Sequence, residues 1–288
     1  MKKQHKRCLL ASTIACSLML TNTAQADFIG FGEITLGHSD ASDPERDGNS
    51  AGFYEISGAI ATPVGSRGTA ILDAEYRQDE HSGDIIDDDD MDDQYQIGIH
   101  YLHDFSGNKF GAFIAHGGAT HDSNNEDYKA TFGGIEAILS LDADTLVYGQ
   151  LGVGDADNDS ESSSGFEDGS FARIGLGFTG FGSTLLKLEL EKGSSDEYED
   201  EDERGKFTSV SLTGETSFGA SKNLAVTYGV SRGTFDASND DNKIQENSIF
   251  VGFRYYFGGT NSKAAFKSGL IGLPTIPTRA MSWTPGLD

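Results

Sequence analysis

Residues 172–192 read ARIGLGFTGFGSTLLKLELEK. In the second half Leu186, Leu188 and Leu190 share one parity, while Lys187, Glu189 and Glu191 share the other. A period of two is a β-strand with one apolar and one polar face. GFGS (180–183) reads as a tight turn, so the two arms form a hairpin. Ile174 then faces Leu190, Leu176 faces Leu188 and Phe178 faces Leu186, all on the apolar side. On the polar side Arg173 meets Glu191, Gly175 meets Glu189 and Gly177 meets Lys187. A one-residue slip would mix the two faces. The register is therefore sharply specified, and Arg173–Glu191 is a contact a structure can test.

Similar segments recur at 28–38, 51–62, 68–79, 94–104, 109–119, 128–140, 145–155, 170–180, 184–192, 207–217, 223–234 and 246–257. Each runs for about 9–13 residues, the length of a tilted strand crossing a bilayer. Short connections such as TPVGSRG, DFSGN, LDAD, GFGS and SFGASKN alternate with long acidic ones at 79–93, 155–170 and 192–206. This rhythm predicts an all-β fold: an antiparallel up-and-down transmembrane barrel of about twelve strands, with short periplasmic turns and long acidic extracellular loops. An even strand number puts both termini on the periplasmic side. A soluble sandwich or a lipocalin-like barrel also alternates. Here, however, the apolar parity carries Tyr54, Tyr76, Tyr95, Tyr101, Phe178, Tyr228, Phe253, Tyr255 and Phe257, which suits the aromatic girdles of a membrane barrel. KFGAFIAHGG and YKATFGGIEAIL fit neither parity, and Gly133-Gly134 is read as a bulge.

The first 26 residues, MKKQHKRCLLASTIACSLMLTNTAQA, have a basic start, a short apolar run and a small-residue end. That is the pattern of a cleaved secretory signal peptide. A lipid on Cys16 is the alternative, although Thr13 stands where a lipobox usually has Leu. Both cysteines, Cys8 and Cys16, fall in this segment, so the mature chain holds no disulfide. Of 21 basic residues four are removed and no acid is, which leaves 17 against 46, a net charge of −29. A charge of that sign excludes nucleic acid as a partner.

The final strand contains IFVGFRYYF (249–257). With the signal peptide and the strand-and-loop rhythm over 27–257, it resembles a Gram-negative outer-membrane β-barrel of the porin-like superfamily. The resemblance implies an outer-membrane location and contact with membrane lipid and lipopolysaccharide. It also implies a barrel-assembly machinery that reads Phe253, Tyr255 and Phe257.

The inward parity gathers the candidate pore lining: Glu55, Asp73, Glu75, Arg77, Arg173, Lys187, Glu189, Glu191 and Arg254, with Glu33, Gln96, His100 and Glu215 beside them. Such groups belong in a polar interior and would be costly against lipid. Other inward positions are small: Ser209, Ser211, Thr213, Ala225, Thr227, Gly229 and Ser231. Twelve tilted strands give a backbone radius of roughly 13 Å, enough for ions and small hydrophilic solutes. Pairing of the charges would instead close the bore, leaving a structural or surface-interaction barrel. The acidic loops can act as a cation funnel, as a loose divalent site, or as solubility. Asp155, Asp157 and Asp159 begin like a calcium loop, yet Ser160 and Phe166 stand where Gly and Glu are required. No specific metal site and no cofactor are assigned. His38, His81, His116 and His121 lie near outer strand ends, where a rim enzyme would need them. Their Ser and Asp neighbours in sequence point to the opposite face, so no catalytic residue is assigned and the chain reads as a non-enzyme.

The alternation stops at Phe257. Residues 258–288 hold three of the five prolines, the single Trp283, three basic residues and one acid. This basic tail can extend into the periplasm and meet a partner there, or enter the acidic lumen as a plug.

Overall fold

The computed structural model describes residues 28–42, 49–82, 91–121, 127–158, 168–195, 205–219, 221–237 and 243–271. They form twelve antiparallel strands: β1 Ile29–Ser42, β2 Asn49–Val64, β3 Gly68–Ser82, β4 Met91–Phe105, β5 Asn108–His121, β6 Asp127–Ser140, β7 Thr145–Asn158, β8 Asp168–Phe181, β9 Thr184–Ser195, β10 Gly205–Phe218, β11 Leu224–Ala237 and β12 Lys243–Phe257. One short helix, α1, spans Ser262–Ser268. Each strand pairs with its neighbours in sequence, and β12 pairs with β1 to close the ring. Glu33 meets Arg254 and Leu36 meets Val251 at that seam. A closed ring leaves no edge strand to aggregate.

The hairpin of residues 172–192 has the expected register from Ala172↔Lys192 to Phe178↔Leu186, including Ile174↔Leu190, Leu176↔Leu188 and Arg173↔Glu191. Most strands run several residues past the alternating segments, because pairing continues above the lipid band after the apolar parity has ended. The expected bulge at Gly133-Gly134 is absent: both residues sit in unbroken ladders with β5 and β7. Register shifts occur instead between Met91 and Asp93 and between Phe178 and Phe181. At the turn end, β4 and β5 are joined by Ser106 and Gly107, both with positive φ (57° and 89°). That is the backbone of the primed hairpin turns, and the Asp104 carboxylate accepts from the Gly107 N–H at 3.0 Å. Of the long acidic loops expected at 79–93, 155–170 and 192–206, the flanking residues belong to strands, and residues 83–90, 159–167 and 196–204 lie outside the described residues.

The wall is inverted relative to a soluble protein. Large apolar groups face outward and exposed, Val153 at 65%, Phe253 at 64% and Leu36 at 60% among them. Polar and charged groups such as Glu33, Arg77, His100, Gln150 and Glu215 are buried inside. The outer apolar band can be covered by lipid, whereas water would leave it exposed.

Part of the bore is closed by packing. Phe113, Phe132, Phe171 and Phe207 point inward and are buried, with the Phe113 and Phe132 rings 6.0 and 6.1 Å from that of Phe171. Each ring lies over a glycine of a neighbouring strand. A Cβ at Gly152 would overlap the Phe171 ring, and one at Gly193 would overlap Phe207. Gly152→Val should therefore destabilise the barrel by about 1–3 kcal/mol through overpacking. The check is the urea midpoint of the folded protein in detergent or lipid.

Candidate functional site: the barrel lumen

The bore holds two networks of polar side chains. On the packed side, His100 is clamped between Glu136 (Nδ1 to Oε2, 2.8 Å) and Asp73 (Nε2 to Oδ2, 2.8 Å). Gln150 donates to the same Glu136 oxygen at 3.1 Å and accepts from Arg173 at 2.6 Å. Arg173 also donates to Glu191 at 2.7 Å and lies 3.5 Å from Glu189. Tyr148 donates to Glu189 at 3.0 Å. The chain of contacts links β3, β4, β6, β7, β8 and β9. It satisfies most of the groups whose burial would otherwise be costly, and leaves the second Glu136 oxygen, Oε1, buried without a hydrogen bond.

At the seam, Arg254 bridges Glu33, at 2.9 Å from its Nε, and Glu215, at 2.6 Å from its Nη1. Its guanidinium lies 4.4 Å from the centre of the Phe31 ring. Arg77 is held by Asp79 (Nε to Oδ2, 3.0 Å) and lies 3.8 Å over Phe53. Arg presents a planar fork and a stackable face, so both partners are used at once.

Between these networks lies a cavity of about 280 Å³. Of the candidate pore-lining residues, Glu55, Asp73, Glu75, Arg77, Lys187 and Arg254 line it. Arg173, Glu189 and Glu191 face inward but stand outside that lining, within the packed network. The cavity is eccentric, bounded by β1–β4 and β9–β12, because the aromatic rows fill the β5–β8 side. Thr213, Thr227 and Ser231, from the wall of small residues, also line it.

The cavity has a floor supplied by the tail. Leu270 and Ile271 line it and are buried. Ahead of them, Asn261 caps α1 by accepting from the Ala264 N–H at 3.1 Å. Gly269, with φ 91°, ends the helix as a left-handed C-cap. Phe266 sits against Gly177 and meets Tyr148 edge-on at 5.8 Å. Ser262 donates to Glu215 and lies 2.8 Å from the Ser217 hydroxyl. Lys109 caps the far end by donating to the Ser268 carbonyl at 2.9 Å. Outside the bore, Lys267 donates to the Ala143 carbonyl at 2.7 Å, and Lys263 pairs with Asp144 in the β6–β7 turn. Hydrogen bonding from Lys263 holds the Asp144 carboxyl below its usual range. These contacts reach from β5 to β10, so residues 262–271 cross the turn end of the bore. The remaining tail, 272–288, lies outside the described residues.

Asp155 and Asp157 belong to β7, paired with Thr131 and Lys129, so neither lies in a calcium-type loop. Asp159 lies outside the described residues. No group of three potential metal ligands occurs among the described residues. His38 and His116 face outward and exposed. His81 and His121 are strand residues. Phe253 and Tyr255 of the terminal signature also face outward.

No family model matches the sequence, and no curated protein aligns with it. Solved structures match in fold. The COG4313 outer membrane channel from Pseudomonas putida F1 superposes with a TM-score of 0.59 at 12% identity, over 80% of this chain and 95% of that one. The CymD monoaromatic hydrocarbon channel gives 0.48 at 10% identity, over 84% and 93%. The translocator domain of autotransporter NalP from Neisseria meningitidis gives 0.46 at 12%, over 88% and 96%. The first of these likenesses agrees with the closed ring and the apolar outer wall, and the fold is that of a closed twelve-strand antiparallel β-barrel.

Proposed function

We propose that the barrel is a narrow outer-membrane channel for ions and small hydrophilic solutes, with a preference for cations. The observation that carries this reading is the 280 Å³ cavity inside the bore, lined by charged groups of both signs. Its carboxylates, Glu33, Glu55, Asp73, Glu75 and Glu215, outnumber its cations, Arg77, Lys187 and Arg254. An excess of fixed negative charge in a confined, low-dielectric passage raises the local cation concentration. In this reading the loop end is extracellular and the turn end periplasmic. Outer-membrane lipid, lipopolysaccharide and the assembly machinery are its surroundings, and a periplasmic partner would engage residues 272–288.

A second reading is a barrel that does not conduct and serves structure or surface interaction. The position of α1 across the turn end favours it. Planar-bilayer recording of the purified protein under a potassium chloride gradient separates the two. The channel reading expects discrete current steps with a reversal potential on the cation side. A reversal potential on the anion side would remove the cation preference. The absence of steps from both the full chain and a chain ending at Phe257 would remove the channel.

A further inference from the structure

The charges that line the cavity are unequal in their commitments. Arg254 is shared by Glu33 and Glu215, Arg77 is held by Asp79, and Asp73 holds His100. Glu55 has partners of its own. Glu75 and Lys187 remain. Among the described residues neither is in ion-pair contact, although both line the cavity and both are partly accessible within it.

Glu75 is on β3 and Lys187 on β9, half the circumference apart in a ring of twelve strands. Each is matched across its strand pair with a polar side chain that has an unsatisfied atom. Glu75 pairs in register with Gln96. The Gln96 side chain hydrogen-bonds to Glu75, yet it is 4% exposed and its amide oxygen is buried without a hydrogen bond. Lys187 pairs in register with Thr213, whose hydroxyl is likewise unsatisfied. Both neighbours line the same cavity. A buried polar atom left unpaired is costly, and each of these stands beside a charge in no ion-pair contact, although Glu75 feels Arg77 and Lys187 feels Glu189 at longer range.

The two half-sites are chemically complementary. The Glu75 carboxylate and the Gln96 oxygen are acceptors, which suits an ammonium. Lys187 with the Thr213 hydroxyl offers donors, which suits a carboxylate. We propose that this cavity binds a small zwitterion of the amino-acid class, with its ammonium on Glu75 and Gln96 and its carboxylate on Lys187 and Thr213. The proposal rests on the reading of the bore as a solute path and names the solute that the path would favour. A solute with one charge would satisfy one wall and leave the other as it is. Leu270 and Ile271 beneath the cavity give the connecting methylenes an apolar surface.

The test is calorimetric titration of the full-length protein, folded in detergent, with glycine, γ-aminobutyrate and ε-aminohexanoate, using butylamine and butyrate as single-charge controls. At least one amino acid should bind about tenfold or more tightly than either control, the difference one charge-assisted contact makes. Glu75→Gln and Lys187→Met should each remove that advantage while the strand signature in circular dichroism is unchanged. The doubly exchanged protein, Glu75→Lys with Lys187→Glu, should recover it, because the ligand can enter in the reverse sense. No binding by any of the three amino acids, equal binding of butylamine, or full affinity in both single variants would overturn the proposal. Binding without conductance would leave this site standing and remove the channel reading. Conductance without binding would do the reverse.

Discussion

A chain ending at Phe257 should admit small solutes into proteoliposomes about an order of magnitude faster than the full chain, because a helix with its side chains is roughly 10–12 Å across and the bore inside twelve strands is little wider. Deletion after Phe257 leaves the β12–β1 pairing intact, since Gly30↔Phe257 is its last pair. It removes Phe266 from Gly177, Leu270 and Ile271 from the cavity floor, and the lysine contacts with the β6–β7 turn. The apolar cluster at the turn end, which includes Ile71, Leu102, Ile138 and Tyr148, then loses Ala265, Phe266, Leu270 and Ile271. Some loss of stability should accompany the faster uptake. Swelling rates measured with solutes of increasing size report the bore directly. Equal rates for the two chains would mean that the tail does not close the path.

Arg254→Met should be the most damaging single substitution in the lumen. Arg254 holds Glu33 and Glu215, which are 7% and 3% exposed. Removing one partner of a buried ion cluster leaves uncompensated charge and costs about 3–5 kcal/mol. Lys187 is close enough to feel the charge of both carboxylates, but it is in ion-pair contact with neither. Adding Glu33→Gln and Glu215→Gln to Arg254→Met should recover most of the loss, because neither buried carboxylate is then left charged without its partner. The measurement is the shift in urea midpoint across the series. A single variant as stable as the parent would show that the two carboxylates find other partners.

The wall was legible where its two faces differ in polarity. From 172 to 192 leucines alternate with charges, and the register followed residue by residue. The same holds for β12, where Ile249, Val251 and Phe253 alternate with inward Arg254 and its neighbours, and so for closure of the ring. Legibility failed on β5 and β6. There most inward positions, Phe113, Phe132, Gly134 and Ile138 among them, are apolar or small, so both faces look alike and the isolated inward charge of Glu136 is too little contrast to set the parity. The misread bulge at Gly133-Gly134 came from that loss of contrast. The actual device is an inward ring lying over a neighbouring glycine, and an inward Phe matched with a Gly on the next strand is the signal that could have revealed it.

Inward placement was legible to the same degree. Inward parity identified Glu75, Lys187 and Arg254, but not which charges were already taken. The His100 network depends on registers accumulated across β3, β4, β6 and β7, and one strand's pattern does not contain it. Helix α1 was missed because seven residues have little helical stability alone. Its order comes from docking Phe266 and from the Asn261 and Gly269 caps, and composition does not reveal a docking site.

A solute passing through the lumen would run through the cavity walled by β1–β4 and β9–β12. Ser57 lines the cavity from β2, and a chain starting at Asp27 has no cysteine of its own. Single-channel current through a Ser57→Cys variant ending at Phe257 should fall in a step when a bulky, membrane-impermeant thiol reagent is added, and return on reduction. Current that continues unchanged while mass spectrometry shows the introduced thiol fully modified would place the path elsewhere and contradict the account.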